Sequence, residues 1–167
     1  MPPAGRAAGR IAGRILPGLT TNSVIRDLQT DDLEAAFRLD QACFEPGIAY
    51  SRTELRWLMG RPGAVGLAAE RGGRLEAFAI AERRGRRGHL VTIDIAPEAR
   101  RRGLGRRLYA EVARRLAEAG ASEIRLEVDV RNRGAIRFYE SLGFERTRTL
   151  RGYYGRGLDG YEMMANL

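Results

Sequence analysis

Lysine is absent from this 167-residue chain: all 29 of its basic residues are arginine. Against 21 acidic residues they give a formal charge of +8. A surface evolved to hold nucleic acid phosphates ordinarily mixes both cations, since either contacts a phosphate. Exclusion of one reads as compositional bias and weakens the charge as a pointer to nucleic acid. The single cysteine, Cys43, excludes an internal disulfide and a cysteine-rich zinc site. The single histidine, His89, excludes a multi-histidine metal cage. No carboxylate spacing recommends a metal, and no apolar run approaches the ~18 residues of a membrane span. The expectation is a reduced, metal-free, cytoplasmic protein with neither a membrane nor a nucleic acid as partner.

What is present fits one domain of ordinary size. Residues 1–22 differ from the rest: they contain no acidic residue, and an Ala-Gly-Arg triplet recurs at 4–6, 8–10 and 12–14. Glycine in each triplet opposes a helix by about 1 kcal/mol. The segment reads as a flexible extension, with residues 23–167 forming the domain. From Ser23 the pattern alternates between strands and helices. Val24 to Leu28 is a strand, and Thr30-Asp31-Asp32 opens a helix carrying Leu33, Phe37 and Leu39. Cys43 follows that helix as a packed thiol. Ser51 and Glu54 form a capping box for a second helix. Strands over 64–70 and 74–82 flank a Gly72-Gly73 hairpin turn, and His89 precedes a strand over 90–95. Leu104, Leu108, Val112 and Leu116 mark one face of a helix over 103–119. A strand over 123–130 alternates strictly, and Asn132 caps a helix bearing Ile136, Tyr139 and Leu142. Two strands near 144–151 and 158–166 close a mixed α/β domain.

The stretch from Ile93 to Arg107 carries the first chemical signal. A strand ends, and Gly103 and Gly105 open an amphipathic helix bracketed by Arg100, Arg101, Arg102, Arg106 and Arg107. Unsatisfied amides and the positive dipole end at a helix start suit an anion, and glycines allow close approach to the backbone. A pyrophosphate fits such a place, as does a plain glycine-rich turn with solvated arginines.

Arg100-x-x-Gly103-x-Gly105 after a strand resembles the acyl-CoA motif of the GNAT superfamily of N-acetyltransferases. A second block is similar to the other half of that site: Leu126-Glu127-Val128, Asn132, Ala135-Ile136, Phe138-Tyr139 and Leu142-Gly143-Phe144. A third, Tyr153-Tyr154, Gly157-x-Asp159 and Tyr161-x-Met163, resembles the bacterial branch that acetylates protein N-termini, including the ribosomal-protein alanine N-acetyltransferases. The resemblance implies a GNAT-type acyl-CoA N-acyltransferase fold: a central mixed, mostly antiparallel sheet, flanked by helices, whose parallel strands at about 90–95 and 123–130 splay around acetyl-CoA.

It further implies that Ile93, Asp94 and Ile95 present backbone groups to the pantetheine arm. Arg100, Arg101, Arg102, Gly103, Leu104, Gly105 and Arg106 would hold the pyrophosphate, and Asn132 would also touch the cofactor. Glu127 matches the base position and Tyr139 the proton donor. A free amine is mostly protonated at neutral pH, so attack on a thioester needs a base, and the departing thiolate an acid. Strict alternation puts Asp94 on one strand face with Thr92 and Leu90, where a second carboxylate is an option. The implied acceptor is a peptide or protein α-amine, with a lysine side chain or small amine as alternatives. Phe138 replaces a commoner Leu, Gly160 a usual Ala, and Phe44 to Ser51 lacks the Pro-Trp of the ribosomal-protein branch. A separate reading, an RNA- or ribosome-binding domain, draws on Arg83, Arg84, Arg86 and Arg87 but leaves Glu127, Asn132 and Tyr139 unexplained.

Overall fold

The computed structural model describes residues 22–155 and 157–167. Apart from Asn22, the extension expected over residues 1–22 lies outside the described residues. Ser23 is already buried, its hydroxyl donating to Glu76 Oε2 at 2.6 Å. The elements are β1 (Val24–Asp27), α1 (Leu33–Cys43), α2 (Arg52–Met59), β2 (Val65–Arg71), β3 (Arg74–Arg84), β4 (Arg87–Ile95), α3 (Leu104–Glu118), β5 (Glu123–Asp129), α4 (Arg133–Glu140), β6 (Glu145–Leu150) and β7 (Gly160–Asn166). They form the expected sheet, in the order β1-β2-β3-β4-β5-β7-β6. Among the described residues only β4 and β5 pair in parallel; every other neighbouring pair is antiparallel.

Packing follows the patterning. The apolar stripe of α3, with Leu104, Leu108, Val112 and Leu116 all buried, covers one face of the sheet, and such burial contributes about 1.5–3 kcal/mol per leucine or valine. Phe138 of α4 packs beside Gly105 of α3, so these two helices share a face. On the opposite face α1 and α2 bury Leu33, Leu39, Leu55 and Leu58. Cys43 closes α1 rather than following it. Among the described residues no helix is long and apolar enough to cross a membrane.

Two local departures from the sequence expectation matter for the site. First, β4 begins at Arg87, three residues before the expected start, because Gly85 takes φ 60° in a two-residue hairpin turn. His89 therefore lies within the strand, opposite Glu82 of β3. Second, the β3–β4 register shifts where Ala81 pairs with Leu90 and Ile80 with Thr92, leaving Val91 as a bulge. A bulge resets alternation. Thr92 and Asp94 therefore join His89 on the α1 face, while Leu90 lies on the other face; the expected grouping of Asp94 with Leu90 is corrected on this account.

Gly88 occupies the short stretch where β4 and β5 pair. A Cβ there would lie 2.8 Å from Leu116 Cδ1 and 3.4 Å from the Glu123 carbonyl oxygen. Leu116 is fully buried and has little room to yield. Gly88→Ala is expected to destabilise the fold by about 1–3 kcal/mol through overpacking, read as a lowered midpoint in denaturant unfolding at unchanged m-value.

Candidate active site

The parallel pairing of β4 with β5 covers only Arg87↔Glu123, Gly88↔Ile124 and His89↔Arg125. Beyond this the strands diverge, so the edge of β4 that would meet β5 has no strand partner. A cavity of about 970 Å³ opens in the gap, lined by Leu90 to Ile93 and Ile95 on one side and by Leu126 to Asp129 on the other. It runs to the start of α3, where Arg100, Arg101, Gly103, Gly105 and Arg106 line it, and along α4 through Asn132, Phe138 and Tyr139. Phe44, Glu45, Ile48, Tyr50 and Tyr154 complete the lining.

At the α3 end the backbone is arranged for an anion. Gly103, the N-cap, sits at φ 78° and ψ 0°, and no side chain caps the first turn. Its amides are available to a ligand. Arg101 is held at φ 61°, a left-handed conformation that costs a non-glycine residue roughly 1–2 kcal/mol. A Cβ on Gly105 would stand 3.2 Å from Phe138 Cζ, so the ring closes directly on the glycine. The arginines divide. Arg100 donates to the Ile95 carbonyl at 2.9 Å, and Arg106 to Ser141 Oγ at 2.9 Å. Arg107 turns away to the Ser23 carbonyl at 2.9 Å and leaves the bracket. Arg102 and Leu104 do not line the cavity, and Leu104 is buried against the core.

In the middle of the gap Glu127 projects from β5 with 10% of its side chain exposed. Its Oε2 lies 2.7 Å from His89 Nε2, and Arg125 Nη1 lies 3.1 Å from Oε1. Burial pushes this carboxyl up, but the bond to His89 and the charge of Arg125 outweigh it and hold Glu127 below the usual carboxylate range. His89 is also 3.7 Å from Glu82 through Nδ1. Tyr139 faces the cavity from α4, stacked against Phe138 and Phe144 with ring centroids 5.4 and 5.7 Å away. Burial drives its phenol well above the usual range, so it keeps its proton at neutral pH. Tyr153 and Tyr154 meet edge to face at 5.0 Å over the start of β7, where a Cβ on Gly160 would stand 3.3 Å from Tyr154.

Residues 30–144 match the Acetyltransferase (GNAT) family. The chain belongs to the GNAT acetyltransferase family. Within it, the [ribosomal protein bS18]-alanine N-acetyltransferase of Escherichia coli is 31% identical over 133 residues, covering 79% of this chain and 87% of that one. The crystal structure of the Escherichia coli ribosomal-protein-S18-alanine N-acetyltransferase superposes with a TM-score of 0.77 at 29% identity, covering 86% of this chain and 93% of that one. An N-alpha-acetyltransferase of Sulfurisphaera tokodaii is 40% identical over 83 residues, 49% of this chain. That match spans only half of the archaeal relative's length.

The GNAT cleft gathers most of the residues singled out in the sequence. Ile93, Ile95, Arg100, Arg101, Gly103, Gly105, Arg106, Glu127, Asn132 and Tyr139 line one cavity. Asn132 also caps α4, its Oδ1 accepting from the Ala135 amide at 3.1 Å. The Asp94 side chain is elsewhere: 1% exposed, it takes a 2.6 Å hydrogen bond from Thr92 Oγ1 beneath the strand. It does not line the cavity and offers no second carboxylate there. The residue that sequence patterning misses is His89. The signal is Gly85-Arg86, a two-residue turn that extends β4 back to Arg87. Among the described residues no cluster of three or more His, Cys, Asp or Glu side chains could hold a metal.

Proposed function

We propose that this protein transfers the acetyl group of acetyl-CoA to the α-amine of a peptide or protein, in the cytoplasm. The observation that carries the proposal is the splayed β4–β5 pair, with an uncapped helix start, the Glu127 carboxyl and, from α4, the Tyr139 phenol lining one gap. Acetyl-CoA supplies an activated thioester carbonyl. The first-turn amides of α3, with Arg101 and Arg106, would hold its pyrophosphate, with charge-assisted bonds contributing about 1.5–3 kcal/mol each before desolvation. The unpaired edge of β4 at Ile93 and Ile95 would receive the amide-bearing arm, and Asn132 would contact it from α4.

The chemistry assigns two side chains. Glu127 takes a proton from the acceptor ammonium, directly or through a water, with His89 orienting the carboxylate. Tyr139 gives its proton to the departing thiolate. An α-amine titrates near 8, about two units below a lysine side chain, so a modest base suffices and an α-amine is the easier substrate. A small-molecule amine remains the competing acceptor within the same fold. The experiment is a thermal-shift series with CoA, acetyl-CoA and free acetate, followed by peptide-library acetylation read by mass spectrometry. CoA and acetyl-CoA should raise the unfolding temperature and acetate should not. Acetylation confined to small amines would move the assignment away from proteins.

A pH prediction follows from the His89–Glu127 bond. Burial raises Glu127, and His89 holds it down. In His89→Ala burial is less opposed, so the Glu127 carboxyl titrates at higher pH. The acid limb of kcat/KM should move to higher pH, measured with one peptide across the acid range. An unmoved limb would separate His89 from the base.

A further inference from the structure

Two aspartates meet where α1 packs on β4. Asp40 of α1 is fully buried and Asp94 of β4 is 1% exposed. Asp40 Oδ2 accepts from the Tyr50 amide at 2.8 Å and from Gln41 Nε2 at 3.3 Å. Asp94 Oδ1 accepts from Thr92 Oγ1 at 2.6 Å. Asp40 Oδ1 and Asp94 Oδ2 remain, both buried and both without a partner among the described residues. The two carboxyls are neighbours where α1 packs on β4. Were both ionised, each would keep an unsatisfied oxygen beside a like charge. A single proton on Asp94 Oδ2, donated to Asp40 Oδ1, satisfies both.

We propose that Asp40 and Asp94 share one proton and that this bond positions residues 44–51, a loop that lines the cleft and would face the acceptor, against β4. The reading rests on the cleft being an acetyl-transfer site. Asp40 reaches the loop through the Tyr50 amide, and Phe44, Glu45, Ile48 and Tyr50 of the loop line the cavity. Neither aspartate touches the reacting atoms; both are positioning residues. Burial, then the neighbouring Asp40 charge, drives Asp94 well above its ordinary range, while burial brings Asp40 up to about 6. Other groups acting on the pair are Glu54 of α2, whose charge raises Asp40, and Arg100 after β4, whose charge lowers Asp94. The Cys43 thiol, the Tyr50 phenol and, from α4, the Tyr139 phenol are neutral neighbours of the pair. From about pH 6 upward, until Asp94 itself ionises, the pair holds one proton.

The test compares Asp94→Asn with Asp94→Ala and wild type. Asparagine donates its carboxamide to Asp40 and accepts from Thr92, so it keeps the bond without a removable proton. Alanine leaves Asp40 Oδ1 alone. Hydrogen exchange of the 44–51 amides, corrected for intrinsic rates, should be wild-type in Asp94→Asn. In Asp94→Ala it should be about tenfold faster, the scale on which a lost bond to a buried charge acts. Acceptor KM should rise by about the same factor in Asp94→Ala, with kcat and acetyl-CoA KM within about twofold. Wild type should loosen as rising pH removes the shared proton, while Asp94→Asn stays flat. Equal loosening with rising pH in wild type and Asp94→Asn, or none in wild type, would overturn the proposal, even if Asp94→Ala does not fold. A failure of acetyl transfer in every form would count against the function alone, because loop exchange is read without substrate.

Discussion

Glu127→Gln should lower kcat by about 10²–10⁴-fold, the usual contribution of a positioned base, with acetyl-CoA affinity unchanged. The amide matches the carboxylate in shape but cannot hold a proton taken from the acceptor. Glu127 sits in the middle of the cleft, between His89 at 2.7 Å and Arg125 at 3.1 Å. The groups that would hold the pyrophosphate are the amides of α3 and the arginines beside them, at the cavity's far end. A loss confined to kcat, with the acetyl-CoA dissociation constant within about twofold in isothermal titration, identifies an interaction made in the transition state. Equal losses in turnover and cofactor affinity would make Glu127 a binding residue.

Tyr139→Phe should lower kcat by about 10², the low end of general-acid effects. A thiolate leaves more readily than an alkoxide, so the demand on the acid is moderate. The phenol reaches the cleft carrying its proton, because burial opposes the phenolate. Its ring packs edge to face on Phe144 and is tilted against Phe138, contacts that phenylalanine retains. The unfolding temperature should therefore stay at the wild-type value in a thermal melt while the rate falls. A matching drop in stability would attribute the rate loss to packing.

Much of this architecture is legible in the sequence because periodic burial writes it there. The stripe of α3 and the alternation of β5 depend on one element packing on one neighbour. The helix start at Gly103 and Gly105 is legible because few residues other than glycine accept φ 78° or allow Phe138 so close. The His89–Glu127 pair is not, because it depends on a three-residue parallel register between strands far apart in sequence. The Asp40–Asp94 pair depends on the bulge at Val91, which no alternation predicts, and on α1 packing over that strand. Arg107 illustrates the reverse error: proximity in sequence to an anion site did not bring its side chain there, since the Ser23 carbonyl captures it.

The most direct measurement mixes the purified chain with acetyl-CoA and three acceptor pools: peptides with free α-amines, α-blocked peptides bearing lysine, and small polyamines. Free thiol and acetylated product are followed together by thiol titration and mass spectrometry. The account predicts stoichiometric thiol release and acetylated α-amines in the first pool, both suppressed in Glu127→Gln. Thiol release from the first pool that proceeds undiminished in Glu127→Gln would contradict it.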